Sequence, residues 1–548
     1  MQFILLAIYY LILQSLFDVL FIPGAFGHGT WWLFSALLAK IASSAALASI
    51  SLVCRRRWPI VLATALLVIW AGANGIYYHA TGLYITFDVL TMAQGLHGFT
   101  SSIATYFRWD VLLLIGVSLL IIPLLLKTHA EHSWRRFGKA WSVIITCSLL
   151  GSVCHYLYWH EHDHPKPRIT ADYFRPLDLY GDCKPKAWRD GENWYIERHS
   201  ITMAFPHMFV HALNLHQEEK LNQFITFTPT EKEFLQPSAD SNSAISGHLV
   251  ILLVESLESW ALEQTDLHGN EITPCINSFI SSHPSLFAMH ITCQKRFGES
   301  GDGQMIINSG LLPIREGVAC MKYADRTYPN FAHLYPASVI VNPVKNAWNQ
   351  TIMTQRYGYK QLIEPTDVTV KNSWNDAMVM QRTQQILDTA SVPTCLMAIT
   401  ISSHTPFDRV MPTLDLAQHL PQDRNHYLQC IHYADSCLGQ FLRWTDTAGA
   451  MRNATIVITG DHNIFSDGYC PLIISSPSIA QSIATSETYY QMDIFPTILS
   501  AIGQKGYFWQ GFGADLLTPQ PQRRIDTDSA FILSDKLIRS NYFRLAHS

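Results

Sequence analysis

The chain has 548 residues, with 38 Lys+Arg against 43 Asp+Glu, a net charge of −5, and 15% charged residues against 48% hydrophobic ones. A net negative charge with no basic stripe of interleaved aromatics excludes a nucleic-acid partner. The low charge is that of a chain half in a membrane and half globular, because the apolar residues crowd into the first 160 positions while the remaining ~390 carry ordinary charges, loops and short strands.

Apolar stretches near 2–23, 31–53, 58–78, 109–126 and 139–158 are each about 20 residues long, enough to cross roughly 30 Å of hydrocarbon. They predict a five-helix transmembrane domain over 1–160. Lys and Arg in short loops stay cytoplasmic. Arg55, Arg56 and Arg57 follow the second stretch, and Lys127, Arg135, Arg136 and Lys139 lie between the fourth and fifth. Both clusters fall on one side only if Met1 is cytoplasmic and everything beyond about 160 is outside, which predicts a multi-pass plasma (inner) membrane protein with a periplasmic or extracellular C-terminal half. The first stretch lacks a basic n-region and a small-residue cleavage site, so it reads as a retained span. The connection 79–107 (Tyr84, Phe87, His97, Phe99, Tyr106) reads as a re-entrant or interfacial loop, or as a surface for a lipid substrate.

A polar connector is expected over 161–246, opening on the His-rich HEHDHPKPR and carrying an amphipathic helix over 201–224. Of the 11 cysteines, three lie in apolar stretches (Cys54, Cys147, Cys154) and eight beyond them. An even number in an oxidising compartment permits disulfides whose pairing sequence leaves open. Cys395 sits inside an apolar run and reads as a packing residue. No CxxC spacing is present, and no internal repeat of useful period.

From 247 to 548 the pattern is that of an α/β ectodomain. HLVILLVES (248–256), LFAMHIT (286–292), ASVIVN (337–342), CLMAITIS (395–402), ATIVITGD (454–461) and PLIISS (471–476) read as buried strands. Helical stretches fall between them at 302–311, 344–357, 374–389, 423–445 and 490–502. Such alternation predicts a mostly parallel sheet between helices, with the ligand site beyond the carboxyl ends of the strands. Glu255, Ser300, Asp461 and His462 all fall at such ends or in the loops after them. Carboxylates and a neutral imidazole suit Mg²⁺, Mn²⁺ or Zn²⁺. In GESGDGQ, glycines let backbone approach a ligand and a helix begins, which puts the Ser300 hydroxyl at a positive helix terminus. Coordinated to a metal, that hydroxyl becomes a nucleophile, and the assembly suits a phosphoester.

The segments LLVESLES, TPCINSFI, GESGDGQMIINSGLLP, SSHTPF, HYADSCLGQFL, TGDH and QMDIFPTIL, in this order, resemble the membrane-anchored phosphoglycerol and phosphoethanolamine transferases of the alkaline phosphatase/sulfatase superfamily, above all the lipoteichoic acid synthases. The resemblance covers nearly the whole chain. It implies that Glu255, Ser300, Asp461 and His462 hold one divalent ion (Mn²⁺ or Mg²⁺ first, then Zn²⁺), that Ser300 is the nucleophile, and that His404 contacts the phosphate and assists transfer. The family nucleophile is usually Thr; Ser keeps the hydroxyl and loses a methyl. In VIVNPVKNAWNQT the family carries a His, a Trp and an Arg that hold glycerol phosphate. Trp348 matches the Trp, the His position reads Val341 or Asn342, and the Arg position reads Gln350, which loses the bidentate fork, with Lys345 as partial compensation. Formylglycine sulfatases need a Cys or Ser followed by x-Pro-x-Arg, which neither CQKRF nor the sequence after Ser300 supplies.

The expected activity is transfer of glycerol phosphate or ethanolamine phosphate from a membrane phospholipid, through phospho-Ser300, to an envelope glycan or lipid. A phosphodiesterase of the same fold and a non-catalytic homologue that binds an envelope polymer are the alternatives; a binding module has no need to keep a nucleophile beside metal ligands.

Overall fold

The computed structural model describes residues 2–22, 29–54, 56–85, 89, 106–120, 133–161, 196, 201–202, 222 and 224–545, except 316, 346, 366–374, 417–419, 466–467 and 524. The chain forms two compact units, Met1–Gln223 and Phe224–Ser548.

In the first unit, four helices are long and apolar enough to cross a membrane: Phe3–Phe21, Thr30–Val53, Trp58–Thr81 and Trp134–Cys154. The fourth predicted stretch is helical over Trp109–Leu119, 11 residues, and positions 121–132 lie outside the described residues. The buried charges Asp18 and Lys40, and Asp110 beside His79, are paired, as a low-dielectric surrounding requires. Lys40 donates to Asp18, both buried, and His79 Nε2 lies 2.9 Å from Asp110. The Ser133 N–H donates to Leu52 O at 2.9 Å, so the start of the helix Trp134–Glu161 meets the end of Thr30–Val53. Exposed Arg56, Arg57, Arg135 and Arg136 share that end. Most of the 79–107 connection, Lys127, the His-rich tract and the bulk of 201–224 lie outside the described residues.

The second unit is built on one eight-stranded sheet in the order β4-β3-β5-β1-β6-β7-β2-β8. The strands are β1 Leu249–Val254, β2 Ser285–Thr292, β3 Ala337–Val341, β4 Gln361–Ile363, β5 Thr394–Ile399, β6 Thr455–Gly460, β7 Cys470–Ser475 and β8 Ile483–Tyr490. Only β7 runs against its neighbours, β6 and β2; the other pairings are parallel. All six predicted strands are present. β4 and β8 carry no apolar run: one is three residues long, the other is an edge strand, IATSETYY, that faces water along most of its length.

Side chains alternate across a strand. Val250, Leu252 and Val254 of β1 pack with Phe279, Val379, Tyr427, Leu428, Ile431 and Phe441 from the helices Pro274–Ser282, Asp376–Asp388 and Gln422–Thr447. Leu249, Ile251 and Leu253 point to the other face and are equally buried, under the layer that holds the helix Ser300–Ser309. Each such aliphatic side chain contributes about 1.5–3 kcal/mol on burial, so the central strands are held from both sides. Two of the motif segments are structural partners. Asp435, in HYADSCLGQFL, accepts the N–H groups of Cys275 and Ile276 at 2.9 and 2.8 Å and so caps the helix of TPCINSFI.

Candidate active site

β1, β5 and β6 are adjacent and parallel, so the residues following them emerge at one edge. Glu255 follows β1, Asp461 and His462 follow β6, and the loop of His404 follows β5. One donor atom from each of Glu255, Asp461 and His462 lies within 4.8 Å of the others, and all three residues are buried. Local backbone bonds hold them there. Glu255 N–H donates to Thr400 Oγ1 at 2.9 Å, and Ser403 Oγ donates to Glu255 O at 2.6 Å. Asp461 Oδ1 accepts the N–H of Ser256 at 2.8 Å and of His462 at 2.9 Å. Asp376 accepts the N–H groups of Ile401 and Ser402, which pins the His404 loop to the start of the helix Asp376–Asp388.

Ser300 is the first residue of its helix, and its Oγ donates to Glu255 Oε2 at 3.4 Å. The helix can come this close because Gly303 has no side chain: a Cβ there would lie 2.0 Å from Asp461 O. Ser256, Glu299, Trp348, Asn349 and Phe407 all have φ between 40° and 63°, a region costly for residues with a Cβ. These strained positions flank Glu255, Ser300, Gln350 and the His404 loop.

The electrostatics are those of a cation site. Burial alone would raise the Glu255 carboxyl, but the hydrogen bond from His462, the charges of His404 and His462 and the Ser256 hydroxyl outweigh it and bring it down to about 2. Burial and the neighbouring Glu255 charge push Asp461 up to about 6. Burial would lower His462, but Asp461 and Glu255 hold its proton up to about 10. Asp461 Oδ2 is buried without a hydrogen bond, with His462 Nε2 3.7 Å away, a costly state that a cation would relieve. Two carboxylates, an imidazole and the adjacent Ser300 hydroxyl fit one divalent ion, which must displace the proton held by His462.

The remaining predicted residues divide. The Trp348 ring packs on the nucleophile helix: a Cβ at Gly301 would meet it at 3.1 Å. His404 stands near enough to Glu255 for its charge to act there. Lys345 instead pairs with Glu364 Oε2 at 2.8 Å and is half exposed. Gln350 is buried; its Oε1 accepts from Asn342 Nδ2 at 3.1 Å and its Nε2 donates to Thr354 Oγ1 at 3.5 Å.

Sequence reasoning passed over several groups. Glu299 Oε2 lies 3.6 Å from His462 Nδ1 and is paired with Lys295. Arg409 stands close enough for its charge to interact with that of Glu255. Asp302 Oδ2 accepts the N–H groups of Arg296 and Gly298 at 2.8 and 2.9 Å, fixing the loop before Ser300, and burial first of all raises its carboxyl to about 6. Gln491, in QMDIFPTIL, donates to Asp461 O at 2.6 Å and accepts from Gln294 N–H at 3.3 Å, tying the two loops together. The motifs flagged GESGDGQ and QMDIFPTIL as blocks; nothing in sequence separates the residues that brace from those that react.

Comparison with known proteins finds relatives along most of the chain. The family model for the lipoteichoic acid synthase N-terminal domain matches residues 1–170, and that for Sulfatase matches 321–504. Lipoteichoic acid synthase 1 of Bacillus subtilis (strain 168) is 21% identical over 556 residues, covering 91% of this chain and 80% of that protein. Lipoteichoic acid synthase of Staphylococcus aureus (strain USA300) is 21% identical over 509 residues, covering 84% and 75%. Among solved structures, the integral membrane lipooligosaccharide phosphoethanolamine transferase A of Neisseria meningitidis shares the fold, with a TM-score of 0.53 and 12% identity over 93% of this chain and 96% of that one. The chain has the sulfatase-like, alkaline phosphatase fold and is similar to phosphotransferases of that superfamily along most of its length. Within that superfamily its similarity is to the lipoteichoic acid synthases of the membrane-anchored branch.

Proposed function

We propose that the protein moves a phospho-alcohol head group, glycerol phosphate or ethanolamine phosphate, from a membrane phospholipid to an envelope glycan or lipid. The observation that carries this reading is the convergence of Glu255, Ser300, Asp461 and His462 at neighbouring strand ends, with a buried Asp461 oxygen left without a donor. Glu255, Ser300, Asp461 and His462 would hold one divalent ion, Mn²⁺ or Mg²⁺ before Zn²⁺, which when bound supplies charge to offset that of the phosphoryl group. Ser300 Oγ attacks phosphorus, forming the Oγ–P bond and breaking the bond from phosphorus to the glyceride oxygen. The hydroxyl proton leaves to solvent, because Glu255, a ligand whose carboxyl is held down to about 2, is too weak a base to keep it, and the glyceride oxygen keeps its electron pair and takes a proton from His404, releasing diacylglycerol. An acceptor hydroxyl then gives its proton to His404 and attacks phosphorus, breaking the Oγ–P bond, and the Ser300 oxygen recovers its proton from solvent. Trp348, Lys345 and Gln350 are assigned to the head-group side.

The catalytic half is placed outside the plasma membrane and Met1 inside. Support comes from the two basic clusters sharing one end of the helices through the Ser133 to Leu52 contact. Trp109–Leu119 with the residues after it is assigned as a fifth span, and the chain is divided into 1–160, a connector 161–246 and a catalytic 247–548. A donor that lives in the bilayer explains the tether. The test is mass spectrometry of the full-length protein after incubation with phospholipid vesicles: Ser300 should carry an adduct whose mass names the head group. Turnover without an adduct, or free head group released in step with diacylglycerol while acceptor is present, overturns transfer through Ser300.

A further inference from the structure

Two thiols with no part in that chemistry touch at the rim of the site. Cys293 directly follows the last residue of β2, and Cys470 is the first residue of β7. The strands are antiparallel with Ile291 opposite Cys470, so the ladder itself brings the two side chains together where it ends. Their Sγ atoms are 3.2 Å apart, with Cys470 buried and Cys293 partly so. Gly460, directly before Asp461, leaves room for the sulfur: a Cβ there would lie 2.8 Å from Cys470 Sγ and 2.4 Å from Leu257 O. Closing the sulfurs to a bonded distance of about 2 Å needs a movement of roughly 1 Å, within the reach of side-chain rotation and without a change of strand register.

We infer that Cys293 and Cys470 are a disulfide-forming pair, and that the bond clamps the loop carrying Ser300 to the strands that present Asp461 and His462. Cys293 begins the segment that runs through Lys295 and Glu299 to Ser300, while β7 lies beside β6, whose end bears the carboxylate and the imidazole. Unclamped, that segment is held near the cluster by the Gln294–Gln491 and Asp302 hydrogen bonds. A covalent tie at its root restricts the motion that would carry Ser300 away from Glu255 Oε2. The chemistry balances with a disulfide donor, either oxidised glutathione or an oxidoreductase disulfide. One cysteine thiolate attacks a donor sulfur and expels the first donor thiolate. The second cysteine thiolate then displaces the other, so the pair loses two protons and two electrons and the donor S–S bond becomes two thiols.

The bond rests on the placement of the two cysteines; only its effect on turnover rests on the function proposed above. The test uses the full-length chain in detergent micelles exposed to oxidised glutathione, acid-quenched, alkylated under denaturing conditions and digested. The peptides containing Cys293 and Cys470 are expected as one linked species that separates on reduction. Recovery of both as alkylated thiols overturns the pair. With the link present, phosphine reduction of the wild type should slow head-group transfer several-fold, and a Cys293→Ala/Cys470→Ala variant should not respond to the reductant. Equal turnover of linked and reduced wild type overturns the clamp without needing any variant to fold. If the reading of Ser300 is wrong, the Ser300 adduct is missing while the linked peptide remains.

Discussion

At Asp461 one carboxylate oxygen accepts two backbone N–H groups and the other accepts none. Asp461→Asn keeps an acceptor oxygen for Ser256 and His462 but removes the charge, so the fold should stand while Mn²⁺ affinity and turnover fall together, affinity by at least about tenfold to a hundredfold. Titration calorimetry beside a thermal melt checks this; unchanged affinity would remove Asp461 from the ligand set. Ser300→Ala deletes the attacking oxygen, so transfer should drop by about a thousandfold or more with melting temperature preserved and metal affinity lowered less than in Asp461→Asn, since the two carboxylates and the imidazole remain. Activity that survives would pass the nucleophile's role to another group. Gln350→Arg, which restores the family's residue, should not restore its function. The site is buried and Asn342 donates to its Oε1, whereas Arg has no acceptor and carries a charge, so a loss of about 2–4 kcal/mol is expected. A stable variant that turns over phosphatidylglycerol faster than phosphatidylethanolamine would show that a guanidinium at this position reaches the head group without that cost. At this scale the residues gathered at the candidate site were legible because each ends a strand or opens a helix within a known order of motifs. Asp302, Lys295 and Arg409 were not, because a charged residue in a loop carries no sign of which way it will face.

The helix Ser300–Ser309 works as an element only because it can lie against the end of β6. Gly303 is helical, and alanine has the higher helix propensity by roughly 1 kcal/mol, so propensity alone would make Gly303→Ala stabilising. The Cβ would meet Asp461 O at 2.0 Å and its carbonyl carbon at 2.8 Å, both backbone atoms that cannot swing aside. Sterics should win: Gly303→Ala should cut turnover at least tenfold and weaken metal binding by pushing Ser300 and Asp461 apart, which metal titration and single-turnover kinetics would register. Wild-type kinetics in that variant would mean that the helix terminus can shift without cost to the site. Elements of this sort were legible from sequence wherever burial on both faces forces a continuous apolar run, as in β1, β5 and β6. β8 was not, because an edge strand with one neighbour needs no such run, and β4 was too short to leave a pattern.

Across the whole molecule, the sequence separates a membrane unit from an α/β unit by composition alone, and it orients the first through its basic residues. The helix ends add a constraint that sequence could not supply. The start of Trp134–Glu161 is hydrogen-bonded to the end of Thr30–Val53, which brings Arg56, Arg57, Arg135 and Arg136 to one face of the helix group. Moving four guanidinium groups to the outer face against the usual retention of Arg in the cytoplasm is the least favourable arrangement of these helices. In the proposed topology the helix Trp134–Glu161 runs from that end of the group as the last span. Protease added to intact spheroplasts should therefore release a fragment that contains the catalytic motifs, while a tag at Met1 is digested only after lysis. Protection of the C-terminal half until lysis would reverse the orientation. It would also detach the enzyme from any outer-leaflet donor and from the envelope acceptor, leaving the chemistry of Ser300 intact but its substrates on the wrong side.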